Sequence, residues 1–158
     1  MAENEEPDKI KLFEDTIKVL EQKLNNETDN WQKTISKLSN AVKSDIKQII
    51  EAQAEIISYK QFIIEEIRKY SLLMFKDSPL LKTLKKNRFE YYSTGYPIKL
   101  SNGSDKKVLI ESDISKIQYK FDLLETHINY LRETASNLET LSYSVKNRIQ
   151  LLDILGAN

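Results

Sequence analysis

The stretch Ile49-Ile50-Glu51-Ala52-Gln53-Ala54-Glu55-Ile56-Ile57-Ser58-Tyr59-Lys60-Gln61-Phe62-Ile63-Ile64 carries three isoleucine doublets seven residues apart. A seven-residue period is that of a helix packed in a left-handed, coiled-coil-like seam. A two-stranded seam needs one narrow apolar stripe. A doublet widens the stripe enough to touch two neighbours, which points to a bundle or an assembly of several chains.

Working outward, steps of three and four continue in both directions through Trp31, Ile35, Leu38, Val42, Ile46, Tyr59, Ile67, Tyr70 and Met74. This predicts one long helix from about 29 to 75. Upstream, Ile10, Phe13, Ile17, Leu20 and Leu24 have the same spacing. They predict an amphipathic first helix, and residues 1–27 read as an acidic N-terminal extension. The polar run Asn25 to Asn30 between them is rich in capping residues and reads as a break.

Downstream, Ser78-Pro79 reads as the start of a short basic third helix ending near Gly95. Residues 96–110 read as strand, turn and strand around Asn102-Gly103, a hairpin turn pair, with a loop as the alternative. A last helix is expected from a Ser112 or Asp113 cap to about 155. Its stripe is Ile114, Ile117, Phe121, Leu124, Ile128, Leu131, Ala135, Leu138, Ser142, Val145, Ile149 and Leu152. Residues 28–158 thus form a helical domain with long helices at about 29–75 and 113–155. The predicted fold is all-α: long coiled-coil-like helices, a short basic helix and a possible small hairpin. One apolar seam does not offset the entropy of ordering a forty-residue helix, so assembly as a homo-oligomer is expected. The expected subunit contacts are Ile49, Ile50, Ile56, Ile57, Ile63, Ile64, Leu124, Ile128, Leu131 and Leu138.

Composition narrows the chemistry. The chain has 158 residues, 24 basic and 24 acidic side chains, one histidine and no cysteine. Disulfide and thiolate chemistry are therefore excluded, and the absence of cysteine fits a reducing cytoplasm. The acidic Met1 to Asp8 segment lacks the apolar stretch of a signal peptide, and no run approaches a membrane span. His127 has no second metal ligand at a suitable spacing and reads as a helix-surface or interface residue. There is no paired-carboxylate site, phosphate loop or nucleophile–base pattern. No catalytic residue, metal or cofactor is expected, and the chain reads as a non-enzyme.

Net charge is zero, but residues 1–30 hold four basic and nine acidic side chains, and residues 81–110 seven and two. Within the positive segment, Lys85-Lys86-Asn87-Arg88-Phe89-Glu90-Tyr91-Tyr92-Ser93-Thr94-Gly95 joins three cations to three rings. Cations track a phosphate backbone, and rings accept stacked bases of any sequence. Lys82, Lys85, Lys86, Arg88, Tyr91, Tyr92, Lys99, Lys106 and Lys107 are the candidate nucleic-acid-binding residues. Phe89 reads as core. Of Tyr91 and Tyr92, one is expected to face outward and the other inward, since neighbours diverge by about 100° on a helix.

The run Asn87 to Gly95, followed by a short insert and Ile110-Glu111-Ser112-Asp113 opening a long C-terminal helix, resembles the UvsY family. Glu51-Ala52 with Tyr59 adds to the likeness, which spans roughly residues 45–150. These are recombination mediators of large tailed phages. The resemblance implies single-stranded DNA binding, ring-like self-assembly, and help to a phage recombinase in displacing single-strand-binding protein, in DNA recombination, repair and replication. It implies DNA contacts for Lys86, Arg88, Tyr91 and Tyr92. The chain departs from the family at Leu141-Ser142-Tyr143, where an Arg-Gly-Phe-like step is usual. The rival expectation is a structural coiled-coil assembly or scaffold protein whose positive segment is incidental.

Overall fold

The computed structural model describes residues 5–100 and 102–156, with side chains from Phe13 onward. The acidic first residues, the Ile10 side chain and Ser101 lie outside the described residues. The described chain is all-helical: α1 (Glu5–Ala41), α2 (Ile46–Glu90), a single π-helical turn (Tyr91–Gly95) and α3 (Gly103–Gly156). No strand occurs among the described residues.

The residues group into two compact units. One comprises residues up to Lys18 with Tyr70–Thr126, the other Val19–Lys69 with His127 onward. In the second unit α1 runs antiparallel to α2 and parallel to α3, as the cross-helix contacts require. In the second unit Lys37 of α1 meets Glu55 of α2 at 3.3 Å. There too, Tyr130 of α3 donates to the Thr28 carbonyl of α1 at 3.1 Å. In the first unit Lys120 of α3 pairs with Asp77 of α2 at 2.6 Å, and Lys116 with Glu14 of α1.

Four boundaries differ from the sequence expectation, each for a local reason. First, α1 runs unbroken through Asn25–Asn30. Leu24 and Trp31 are buried one heptad apart, and the asparagines and Asp29 between them are exposed on the same helix. Burial at both ends overrides the weak helix propensity of the run.

Second, the long helix expected from 29 to 75 is two helices that reverse at 42–45. Lys43 and Ser44 donate to the carbonyls of Asn40 and Ala41, tightening the last turn. Asp45 then caps α2 by accepting from the Gln48 amide at 3.0 Å. The steps Leu38, Val42, Ile46, Ile49 hide the reversal. Asp45 followed three residues later by Gln48 was the legible sign of it.

Third, Pro79 lies inside α2 rather than at a helix start. Its ring is exposed, and the half-buried positions Met74, Asp77, Ser78, Leu81 and Leu84 carry the packed face past it. An interior proline costs about 3 kcal/mol. Packing on that face, with the Asp77–Lys120 pair, offsets it. No separate basic helix forms.

Fourth, Asn102-Gly103 starts a helix instead of turning a hairpin. Asn102 Oδ1 accepts from the Ser104 amide at 3.0 Å, a helix N-cap. Hence α3 begins at Gly103, about ten residues before the expected Ser112 or Asp113 cap. No described residue has a positive φ, so none of these turns depends on glycine for its backbone.

The doublets divide cleanly. Ile49, Ile56 and Ile63 are fully buried, whereas Ile50, Ile57 and Ile64 are 55%, 63% and 55% exposed. In the second unit the core holds Leu24, Trp31, Leu38, Val42, Ile49, Ala52, Ile56, Ile63, Ile128, Leu131, Leu138 and Val145. Ile17, Tyr70, Tyr92, Ile114 and Leu124 are the buried apolar residues of the first. Seven of the ten expected subunit contacts are therefore filled within the chain: Ile49, Ile56, Ile63, Leu124, Ile128, Leu131 and Leu138. Ile50, Ile57 and Ile64 remain available to a second copy.

His127, read as a surface or interface residue, is 4% exposed. It lies 3.1 Å from Glu27 Oε2 and stacks on Tyr130. Burial lowers its pKa, and the Glu27 contact only partly opposes this. With the folded value below the unfolded one, the unfolded chain binds the extra proton first. Stability therefore falls as pH drops through the ordinary histidine range near about 6.5. Urea midpoints measured between roughly pH 7.5 and 5.5 should decline for the natural chain and decline less for His127→Gln. Equal declines would remove His127 as the cause.

Candidate nucleic-acid interface

The last turns of α2 bring the basic-aromatic segment to the first unit. From Leu84, steps of four along the packed face lead to Arg88 and Tyr92, which leaves Phe89 outside. Phe89 is 56% exposed, a correction to its expected core position, and Tyr92 is 8% exposed. The helix then widens into the π turn Tyr91–Gly95, where Thr94 Oγ1 donates to the Glu90 carbonyl at 2.9 Å. Pro97 follows, and Tyr96 before it is extended with φ −79° and ψ 133°. That is the conformation a residue preceding proline favours. Single π turns recur at functional positions in helices.

Three tyrosine rings meet at this turn. Tyr91 lies 5.1 Å from Tyr92 and 5.8 Å from Tyr96, and Tyr92 lies 5.0 Å from Tyr96, all edge to face. Such pairs are worth about 0.5–1.5 kcal/mol each beyond their burial. Tyr92 is the inward ring. Its hydroxyl donates to Asp113 Oδ2 at 2.8 Å. That hydrogen bond, then burial, raises the Tyr92 pKa and keeps the hydroxyl a donor. Tyr91 is the outward ring, 42% exposed.

Gly95 sets how closely the chain passes Tyr91. A Cβ at residue 95 would stand 3.2 Å from Tyr91 Cδ2, tighter than ordinary contact. Gly95→Ala should therefore shift the Tyr91 ring by a few tenths of an ångström without loss of helicity, visible as changed Tyr91 ring-proton shifts by NMR. Unchanged shifts would mean the ring does not rest on the glycine.

The candidate cations are accessible, but several face acids. Lys86 Nζ lies 3.8 Å from Glu90, Arg88 Nε 3.5 Å from Asp113 Oδ2, and Lys107 Nζ 3.7 Å from Glu111. Lys85 Nζ donates to Gln118 Oε1 at 3.5 Å. Lys82 and Lys99 are exposed, and Lys106 is half-buried in the first turn of α3. Exposed pairs of this kind are worth about 0–1 kcal/mol, little enough for a phosphate to displace the carboxylate. Lys99, Lys106 and Lys107, expected in a hairpin, sit instead on the 96–102 connection and the first turns of α3.

Asp113 and Tyr96 complete the arrangement, and neither was singled out in the sequence as part of it. Asp113, expected as a helix cap, is inside α3 and holds both Tyr92 and Arg88. No spacing signals a partner 21 residues away. Tyr96 was legible only as a third tyrosine close to Tyr91 and Tyr92. Among the described residues no group of three or more histidine, aspartate or glutamate side chains could hold a metal, and no helix is long and apolar enough to cross a membrane. In comparisons with protein families, characterised proteins and solved structures, nothing matches this chain.

Proposed function

We propose that this chain is a non-enzymatic, single-stranded-DNA-binding recombination mediator of the UvsY type. It would act in the cytoplasm, that of the host cell if the chain is phage-encoded. One observation carries the reading: Tyr91 is held outward by two further rings, on a turn that directly follows Lys82, Lys85, Lys86 and Arg88. A ring braced in this way loses little freedom when a base stacks on it, and stacking contributes about 1–3 kcal/mol per base. The cations take the phosphates on either side. Tyr92 supports the platform rather than stacking, because its hydroxyl and ring are already engaged. Self-association into a ring would multiply weak sites along one strand. The strand would then pass from single-strand-binding protein to a phage recombinase through binding energy alone.

Fluorescence anisotropy with labelled oligo-dT tests this. Four phosphate contacts predict a log–log salt slope of about −3, at ~0.7 per contact, and preference for the single strand over duplex. A second reading, a structural coiled-coil assembly or scaffold protein, is favoured by the exposed Ile50, Ile57 and Ile64 row. It predicts no oligo-dT binding even at low salt, the outcome that would reject the mediator.

A further inference from the structure

Phe75 and Phe89 are 76% and 56% exposed, and neither belongs to the packed face of α2 or to the tyrosine cluster. Lys82 stands seven residues from each of them. An α-helix drifts only about 20° per heptad, so these three side chains share one face of α2. Pro79 and Lys86 fill the intervening steps of three and four, and all five residues of the row are exposed. Fourteen residues of helix make the row about 21 Å long. It lies wholly within the first unit.

The row faces away from α3. Lys85 and Arg88 turn the other way, toward Gln118 and Asp113 of that helix. Lys86 meets Glu90 at 3.8 Å in an exposed pair, and Lys82 has no ion pair among the described residues. The order along the face is therefore ring, proline, cation, cation, ring.

That order selects the occupant. The outward row Ile50, Ile57 and Ile64 could seat a second helix, because nothing charged interrupts its heptads. A helix laid along Phe75 to Phe89 would instead bury two ammonium groups in the middle of the contact, which is costly without paired acids. A single strand of nucleic acid supplies what both residue types need. Its phosphates lie against lysines and its bases against rings, whatever the sequence.

We propose that Phe75 and Phe89 are further base-stacking residues, and that the strand runs along this outer face of α2 with Lys82 and Lys86 taking the phosphates between them. Phe89 stands two residues before Tyr91, so the track ends beside the tyrosine turn. The proposal rests on the single-stranded-DNA reading above and gives that strand a path the tyrosine turn alone does not.

Oligo-dT anisotropy across a salt series tests it with the full chain. Phe75→Ala and Phe89→Ala should each weaken binding about five- to a hundredfold, the range for losing one stacked base. The salt slope should stay near about −3 in both, because a ring releases no counterions, whereas Lys82→Ala should lower it by ~0.7. Phe89→Tyr, which keeps a ring, should bind like the natural chain, and Phe89→Leu, which keeps only apolar bulk, should not. An abasic oligonucleotide of equal length should bind more weakly than oligo-dT, and both alanine variants should narrow that gap. Helicity and urea midpoints should be unchanged, since both rings are already in water.

Oligo-dT binding that ignores both ring replacements would overturn this inference and leave the mediator reading standing. No oligo-dT binding by the natural chain would sink the two together. Equal binding by Phe89→Leu and the natural chain would make the contact apolar rather than stacked, and the inference would fall. It would fall as well if the alanine variants lowered the mass seen by light scattering while oligo-dT affinity held, since the face would then belong to a second copy. An abasic gap unchanged in both variants would leave the bases to other residues and equally overturn it.

Discussion

Ile56→Ala is expected to destabilise the chain by about 2–5 kcal/mol, while Ile57→Ala should stay within about 0.5 kcal/mol in dilute solution. The two residues are adjacent and chemically identical, and they differ only in placement. Ile56 is fully buried in the second unit, and Ile57 is 63% exposed. Truncating Ile56 removes buried methyl groups and leaves a cavity that its neighbours fill only in part. Truncating Ile57 trims a side chain that is already mostly in water. Urea unfolding of both variants at low protein concentration measures the contrast. At high concentration Ile57 gains a second use. If the exposed row binds a second copy, Ile57→Glu should reduce the mass seen by light scattering without lowering the unfolding midpoint of the dilute chain. Equal costs for Ile56→Ala and Ile57→Ala would mean that the outer isoleucine is covered in solution.

The double replacement of Lys86 and Arg88 by alanine should weaken oligo-dT binding roughly 50–100-fold near 50 mM salt and roughly tenfold near 200 mM. The salt slope should fall from about −3 to about −1.5, because each phosphate contact releases ~0.7 counterions. Both side chains already face acids, Glu90 and Asp113, so DNA must exchange those partners rather than meet bare charge. The exchange trims the gain and makes the upper figures limits. Arg88 also shares Asp113 with Tyr92, whose own hydrogen bond of 2.8 Å does not involve the guanidinium. The tyrosine cluster should therefore survive the replacement, and unchanged near-ultraviolet circular dichroism would verify that it does. An unaltered slope with intact helicity would remove these two cations from any DNA path.

The helical class and most buried positions were legible because burial follows a period that the sequence writes out. Ile49, Ile56 and Ile63 in α2, and Leu124, Leu131 and Leu138 in α3, all fall where heptad spacing puts them. The reversal at 42–45 was hidden because apolar steps of three and four cross it without a gap. The proline at 79 misled because its penalty is local, whereas the packed face on either side of it spans many residues. Asn102-Gly103 is ambiguous by chemistry: the same asparagine that turns a hairpin also caps a helix. At the candidate site the residue types were readable and their division of labour was not. Which tyrosine faces inward depends on Asp113, and that pairing exists only once α3 folds back along α2. The likeness to the UvsY family rests on the same few residues and remains a proposal carried by them.

The backbone reserves no place for glycine, since every described residue keeps a φ that any amino acid adopts. Gly103 and Gly156 have open space where a Cβ would stand, and only Gly95 meets a neighbour. The chain's sole demand for its smallest residue thus comes from an aromatic ring needing clearance, and drift toward ordinary side chains should be resisted at that position and tolerated at the other two.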